Sequence, residues 1–287
     1  MTRTPDSRIP RVSIRELIER YDLILFDAYG VLVHSAGTLP GAQQTISRLN
    51  ELDKPYAVLT NDASKLPETA VARYRGFGLD IPVDRIVSSG SLLTAYFEQH
   101  RLNGARCIVL GTPDSHRFVE LAGGEIVPAD SPCDVLVVGD ENGFDFVKTV
   151  DATLSTLFRA IDAGNCPRLV LPNPDLIFPH GEDRFGIAAG SIALIIEAAL
   201  RRRYPQRQDL VFDRLGKPHS DLYEAAMRRF GTRNAVMIGD QLETDIAGAL
   251  SCGIDCALIA TGVSVVKNLT SATAIRPTYW IPSLSGD

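Results

Sequence analysis

The sequence predicts an α/β fold: a mostly parallel sheet interleaved with helices, with a second α/β module inserted into it. Short apolar runs rich in β-branched residues alternate with segments of helical period, the pattern of parallel sheets built from βαβ units. Several of those runs end in polar or small residues, as in "LILFDAYG", "PYAVLTND", "RIVSSG" and "NAVMIGD". The carboxyl ends of strands form the ligand-binding edge of an open α/β sheet. Between residues 91 and 204 there are enough strand-like and helical segments for a separate core. The expected organisation is therefore a discontinuous core domain, 1–90 with 205–287, and an inserted domain, 91–204.

In chain order, "SIRE" sets Ser13 and Glu16 as a capping box that starts a short helix. Leu23 to Phe26 follows as a buried strand, with Gly30 in the turn behind it. A helix is expected from about Gly41 through "PGAQQTISRLNEL", then the strand "PYAVLTND", which delivers Thr60, Asn61 and Asp62 at its end. "PETAVARYRGFG" reads as a helix closed by Gly76 and Gly78, and "RIVSSG" as a third strand. In the insertion, "RCIVLG", "CDVLVVG" and "PRLVLPN" are strand-like and "FVKTVDATLSTLFRAIDAG" is helical. After it, "DLVFDRLGKP", the helix "DLYEAAMRRFG", the strand "NAVMIGD", the helix "LETDIAGALSCG" and the strand "DCALIA" restore the first module's alternation.

Composition narrows the function classes. At 45% hydrophobic and 22% charged, the 287 residues have ordinary globular make-up. A formal net charge of -6 speaks against nucleic acid as a partner. The densest basic run, Arg201 to Arg203, ends an apolar helical stretch, where cations complement the helix dipole. The longest apolar run, Ile187 to Leu200, is broken by Ser191 and Glu197 and falls short of the about 20 residues a membrane span needs. The first residues show no apolar core of signal-peptide length, so a cytoplasmic protein without a membrane partner is expected. Five scattered cysteines without C-x-x-C spacing read as buried, reduced thiols. His34, His180 and His219 show no metal-ligand spacing, and His219 is expected to cap a helix.

The chemistry concentrates in acids at predicted strand ends: Asp27 after "LILF", and Asp240 with Asp245 in "MIGDQLETDIAGA". Gly239 permits a tight turn after the strand Val236 to Ile238, so Asp240 at the tip and Asp245 on the next helix can reach one point. Gathering three carboxylates without compensation costs several kcal/mol through like-charge repulsion. A cation must sit among them, and oxygen-only ligands suit Mg²⁺. Lys217 in "GKP" adds positive charge beside Asp27, while Thr60 and Asn61 offer donors for phosphate oxygens.

The ordered set resembles the haloacid dehalogenase superfamily of aspartyl phosphotransferases: "FDAYGVL" is similar to its first motif, "LTND" to its second, "GKP" to its third and "GDQLETD" to its fourth. The inserted module, the turn "PNPDLIFP" at 172–179 and the following "GIAAGSIALIIEA" resemble the class IIA, NagD-like branch. That branch includes sugar-phosphate, para-nitrophenyl phosphate, phosphoglycolate and pyridoxal phosphate phosphatases. The resemblance implies a Rossmann-like core with a large cap of the C2 type that closes and selects a small phosphorylated substrate, with a homodimer through the cap. It implies that Asp27 attacks phosphorus and that water hydrolyses the aspartyl-phosphate. It also implies that Mg²⁺ is held by Asp27, the backbone carbonyl of Tyr29 and Asp240, with Asp245 in support.

Tyr29 departs from the pattern, because phosphatases of this kind usually carry a second Asp two residues after the nucleophile to serve as general acid and base. A carbonyl survives the substitution, but a phenol with a pKa of about 10 is a poor base at neutral pH. Substrates with good leaving groups, such as aryl or acyl phosphates, are expected to be favoured over alkyl sugar phosphates unless another residue, with Asp62 a candidate, supplies the proton. Two rival readings stay open: a metal-independent 2-haloacid dehalogenase, whose motif "DAYG" also resembles, and a low-activity phosphate-binding regulatory protein. Asn173 and Asp175 in "NPD" admit both a substrate contact and a plain turn.

Overall fold

The computed structural model describes residues 9–34, 37–179, 184–260 and 274–285, which leaves His180 outside the described residues. Two compact units are present: Met1–Thr60, Pro67–Val87 and Lys217–Asp287 form the first, and Asn61–Leu66 with Ser88–Gly216 form the second.

The first unit is built on a six-stranded sheet in the order Tyr279–Ile281, Asp255–Ile259, Ala235–Gly239, Leu23–Asp27, Tyr56–Thr60, Ile86–Ser88. The four pairings from Tyr279–Ile281 across to Tyr56–Thr60 are parallel. Leu23–Asp27, Tyr56–Thr60 and Ala235–Gly239 are buried along their whole length, which is why these segments read as continuous apolar runs rather than alternating ones. From Leu23–Asp27 the chain builds outward through Tyr56–Thr60 on one side, while Ala235–Gly239 and its successors extend the other. The order of the sheet therefore reverses between Leu23–Asp27 and Ala235–Gly239, the crevice where α/β sheets bind ligands. The capping box forms as expected: Glu16 N–H donates to Ser13 Oγ at 3.3 Å and Ser13 N–H to the Glu16 carboxylate at 2.7 Å. The helix it starts, Ile14–Arg20, buries Ile14, Leu17 and Ile18 in the core.

The second unit has a five-stranded parallel sheet in the order Asp213–Arg214, Arg168–Leu171, Val135–Val138, Arg106–Leu110, Glu125–Ile126. It also has an antiparallel hairpin, Ile177–Pro179 with Phe185–Ile187. Asp213–Arg214 departs from the expectation that the chain has returned to the first module by residue 205. Leu210 and Phe212 are buried in the second unit's core, and Leu215 N–H donates to the Leu171 carbonyl at 3.1 Å. Glu197, which interrupts the apolar run of the helix Ala189–Arg203, anchors this segment. It is 4% exposed; its Oε1 accepts from Phe212 N–H at 2.9 Å, and both its oxygens accept from Arg214, at 2.9 and 3.1 Å.

Arg201 to Arg203 close that helix, and Arg203 pairs with Asp162 at 2.7 Å. His219 is not the cap of the helix Asp221–Phe230: Ser220 stands at that position and makes no side-chain cap bond. Cys107, Cys133, Cys252 and Cys256 are buried and Cys166 is exposed, and all five are free thiols. Burial pushes the Cys107 thiol up to about 12 and the Cys133 thiol up to about 11. Among the described residues no helix is long and apolar enough to cross a membrane.

Replacing Glu197 by Ala strands the buried Phe212 N–H and removes the carboxylate partner of Arg214, leaving the guanidinium the Phe212 carbonyl at 3.0 Å. The expected loss is about 2–4 kcal/mol of unfolding free energy in a urea titration, with Glu197→Gln losing less. An unchanged midpoint contradicts the anchoring role.

Candidate active site

Two glycines fix the shape of the site. Asp27 ends its strand and is followed by the turn at Gly30, whose φ is +83°, and a Cβ there would lie 2.2 Å from Asp240 Oδ2. The loop therefore meets the Asp240 carboxylate at a distance that only glycine allows. Gly239 has the same relation to the second acid: its Cβ would lie 2.1 Å from that of Asp245.

Asp27, Asp240 and Asp245 are all buried, and one ligand oxygen from each lies within 4.8 Å of the others. Lys217, 3% exposed, donates from Nζ to Asp27 Oδ1 at 2.6 Å and to Asp245 Oδ1 at 2.7 Å. The other oxygen of Asp245 accepts the backbone N–H groups of Asp240 and Gln241, both at 3.1 Å. Tyr223 Oη donates to the Asp245 carbonyl at 3.0 Å. Asp245 is thus fully engaged in orienting its surroundings. Asp27 Oδ1 also accepts Ala28 N–H at 2.7 Å, whereas no described residue donates to Asp27 Oδ2.

Burial, then the Asp245 carboxylate, pushes the Asp27 carboxyl well above its usual range, with Lys217 pulling it down and Asp240 adding to the rise. Burial alone draws the Lys217 ammonium down, yet Asp245 and Asp27 together hold it well above its ordinary value. Lys217 is therefore charged, and at 2.6 Å an ion pair with Asp27 is the state the contact supports. Burial and Asp245 push the Tyr223 phenol well up, which keeps it a donor.

One ammonium does not balance three carboxylates. At an effective dielectric of about 20, each pair of carboxylates this close repels by ~3–4 kcal/mol. The remaining donors are all oxygens: the acids and the carbonyl of Tyr29, to which no described backbone N–H donates. Such a hard donor set around a glycine-lined turn fits Mg²⁺.

Tyr29 places its half-buried ring against the edge of the core. The guanidinium of Arg73, on the helix Pro67–Gly76, lies 5.1 Å from the centre of that ring and 5.5 Å from the ring of Phe77. Arg73 Nη2 donates to Tyr29 Oη. Neither Arg73 nor Tyr223 was legible as part of the site, since each sits on an ordinary amphipathic helix outside any motif.

Thr60 is buried one residue beyond Leu59, the register partner of Asp27. Asn61 and Asp62 belong to the second unit. There Asn61 Nδ2 donates to Asp175 Oδ1 at 2.9 Å, and its carbonyl accepts the Ser89 hydroxyl at 2.7 Å. Asp62 accepts Ser64 N–H and Oγ–H at 2.8 and 2.6 Å and pairs with Lys65 at 3.3 Å. Asn173 Oδ1 accepts Asp175 N–H at 3.0 Å, a turn contact.

Residues 24–125 match the family described as haloacid dehalogenase-like hydrolase, and residues 214–286 match one described as HAD-hydrolase-like. A dihydroxyacetone phosphatase of Corynebacterium glutamicum is 28% identical over 265 residues, covering 91% of this chain and 88% of that protein. The crystal structure of a "possible sugar phosphatase" of Cytophaga hutchinsonii shares the fold with a TM-score of 0.82 at 29% identity, over 97% of this chain and 99% of the other. NagD of Escherichia coli K-12 has the same fold, with a TM-score of 0.77 at 24% identity over 92% of this chain and 97% of its own. The two family matches take in the segments that carry Asp27 and Thr60 on one side and Lys217, Asp240 and Asp245 on the other. Over residues 24–125 and 214–286 the chain is thus similar to haloacid dehalogenase-like hydrolases, and it shares their α/β architecture.

Proposed function

We propose that the protein is a Mg²⁺-dependent phosphatase of the class IIA, NagD-like branch that hydrolyses a small-molecule phosphate monoester through an aspartyl-phosphate on Asp27. The observation that carries this reading is the division of labour at Asp27. One carboxylate oxygen is held by Lys217 at 2.6 Å and by Ala28 N–H at 2.7 Å, and the other is left to bond. Asp27 Oδ2 attacks phosphorus as the ester P–O bond breaks, and water then cleaves the acyl phosphate. Lys217 keeps Asp27 ionised and offsets the charge of the incoming phosphoryl group.

Asp27, the Tyr29 carbonyl and Asp240 would hold Mg²⁺, which supplies charge neutralisation at the phosphoryl oxygens. Asp245 orients Lys217 and the turn at Asp240–Gln241. Thr60 and Asn61 are assigned as phosphate donors. Asp62 is the weaker candidate for proton transfer, because its carboxylate already holds Ser64 and Lys65. The dihydroxyacetone phosphatase and "possible sugar phosphatase" among the similar proteins support a small phosphate monoester as substrate. Three buried carboxylates in mutual reach favour metal-assisted chemistry over metal-independent displacement of halide.

A screen of phosphate esters with and without Mg²⁺ tests the reading, with turnover expected only with the metal. Chloride release from 2-chloropropionate in the presence of a chelator would instead establish the dehalogenase. Asp27→Asn is expected to lower kcat by about 10⁴-fold or more with an unchanged circular dichroism spectrum, and retained turnover of an aryl phosphate overturns the nucleophile. Lys217→Met leaves buried carboxylates uncompensated, so the metal-free protein should lose about 3–5 kcal/mol. Mg²⁺ should then raise the melting temperature of the variant more than that of the wild type; equal gains contradict the charge balance. Because Tyr29 replaces an acid, log kcat should fall as leaving-group pKa rises across a series of phosphate esters, and a flat profile contradicts this.

A further inference from the structure

We propose that Arg73 is a positioning residue that makes Tyr29 a hydrogen-bond donor to the leaving-group oxygen. The proposal rests on the phosphatase reading above. Tyr29 lies two residues after the nucleophile, in a loop whose next residue touches the Asp240 carboxylate. Arg73 donates from Nη2 to Tyr29 Oη, and its guanidinium lies 5.1 and 5.5 Å from the centres of the Tyr29 and Phe77 rings. Among the described residues Arg73 has no carboxylate partner. Tyrosine is thus the polar group on which this cation is spent.

A phenol oxygen has one hydrogen and two lone pairs. A guanidinium, charged at every physiological pH, occupies one lone pair and cannot reverse its role. The hydroxyl hydrogen must then point away from Arg73, and donation from a cation strengthens the phenol as a donor in its turn. The same contact makes the phenol oxygen a poor acceptor of a second proton. The pair therefore works in one direction. As Asp27 Oδ2 bonds to phosphorus and the ester P–O bond breaks, the electron pair passes to the leaving oxygen, which is stabilised by the Tyr29 O–H and takes its proton from solvent. No matching help is given to the water that cleaves the acyl phosphate.

The test is a leaving-group series of aryl phosphates assayed with Mg²⁺ for wild type, Tyr29→Phe, Arg73→Gln, Arg73→Lys and the Tyr29→Phe/Arg73→Gln double variant, each checked for an unchanged melting temperature. Tyr29→Phe and Arg73→Gln are each expected to lower kcat by about three- to tenfold with KM within about twofold, the range of one hydrogen bond. The loss should grow with leaving-group pKa, Arg73→Lys should recover part of it, and the double variant should lose no more than Tyr29→Phe alone. If Arg73→Gln raises KM alone, the guanidinium binds an anionic part of the substrate and the proposal is overturned. Additive losses in the double variant, or turnover that Arg73→Gln leaves untouched, overturn it as well. Absence of turnover by the wild type removes the phosphatase reading and this role with it, whereas turnover insensitive to Arg73→Gln removes this role alone.

Discussion

The buried ammonium of Lys217, shared between Asp27 at 2.6 Å and Asp245 at 2.7 Å, is the contact on which the rest of the site depends. Each partner is useless to the chemistry by itself. Asp27 alone in this interior would be driven to its neutral form by burial, and a neutral carboxyl is not a nucleophile. Asp245 alone would add to the repulsion. With Lys217 between them, one oxygen of each acid is neutralised and fixed, and the unpaired oxygen of Asp27 has a defined position. The fold supplies this geometry cheaply, because parallel strands deliver Asp27 and Gly239 to the same sheet edge on either side of the point where the strand order reverses.

Much of this was legible because it is local. The capping box at Ser13 and Glu16 and the continuous apolar strands each follow from a few neighbouring residues, and the structure forms them; Gly239 ends its strand rather than making a turn, and its lack of a Cβ admits Asp245. The convergence of three acids followed from the sheet order that alternation implies, and one oxygen from each does lie within 4.8 Å of the others. What escaped the sequence is tertiary and short. Asp213–Arg214 is a strand of two residues, too brief to show a period, and its place is decided by Leu210, Phe212 and the buried Glu197. In sequence, Glu197 is only an interruption of an apolar run.

The contact between Arg73 and Tyr29 spans 44 positions and leaves no signature in either segment. It nevertheless changes what the substitution at position 29 means. Read alone, a tyrosine there is a lost acid. Joined to a guanidinium that occupies one lone pair, it has its hydroxyl hydrogen turned away from Arg73, which is the basis for the donor role proposed for it. Asp62 illustrates the opposite case: a carboxylate that sequence position made attractive is committed to Ser64 and Lys65.

The central claim is that the free oxygen of Asp27 bonds to phosphorus. Acid quench of the protein during turnover of an aryl phosphate with Mg²⁺, followed by mass spectrometry of its peptic peptides, tests it most directly. The account predicts one phosphoryl group on the peptide that contains Asp27, lost in Asp27→Asn. Steady turnover with no phosphorylated peptide, or with the phosphoryl group on another residue, would contradict it.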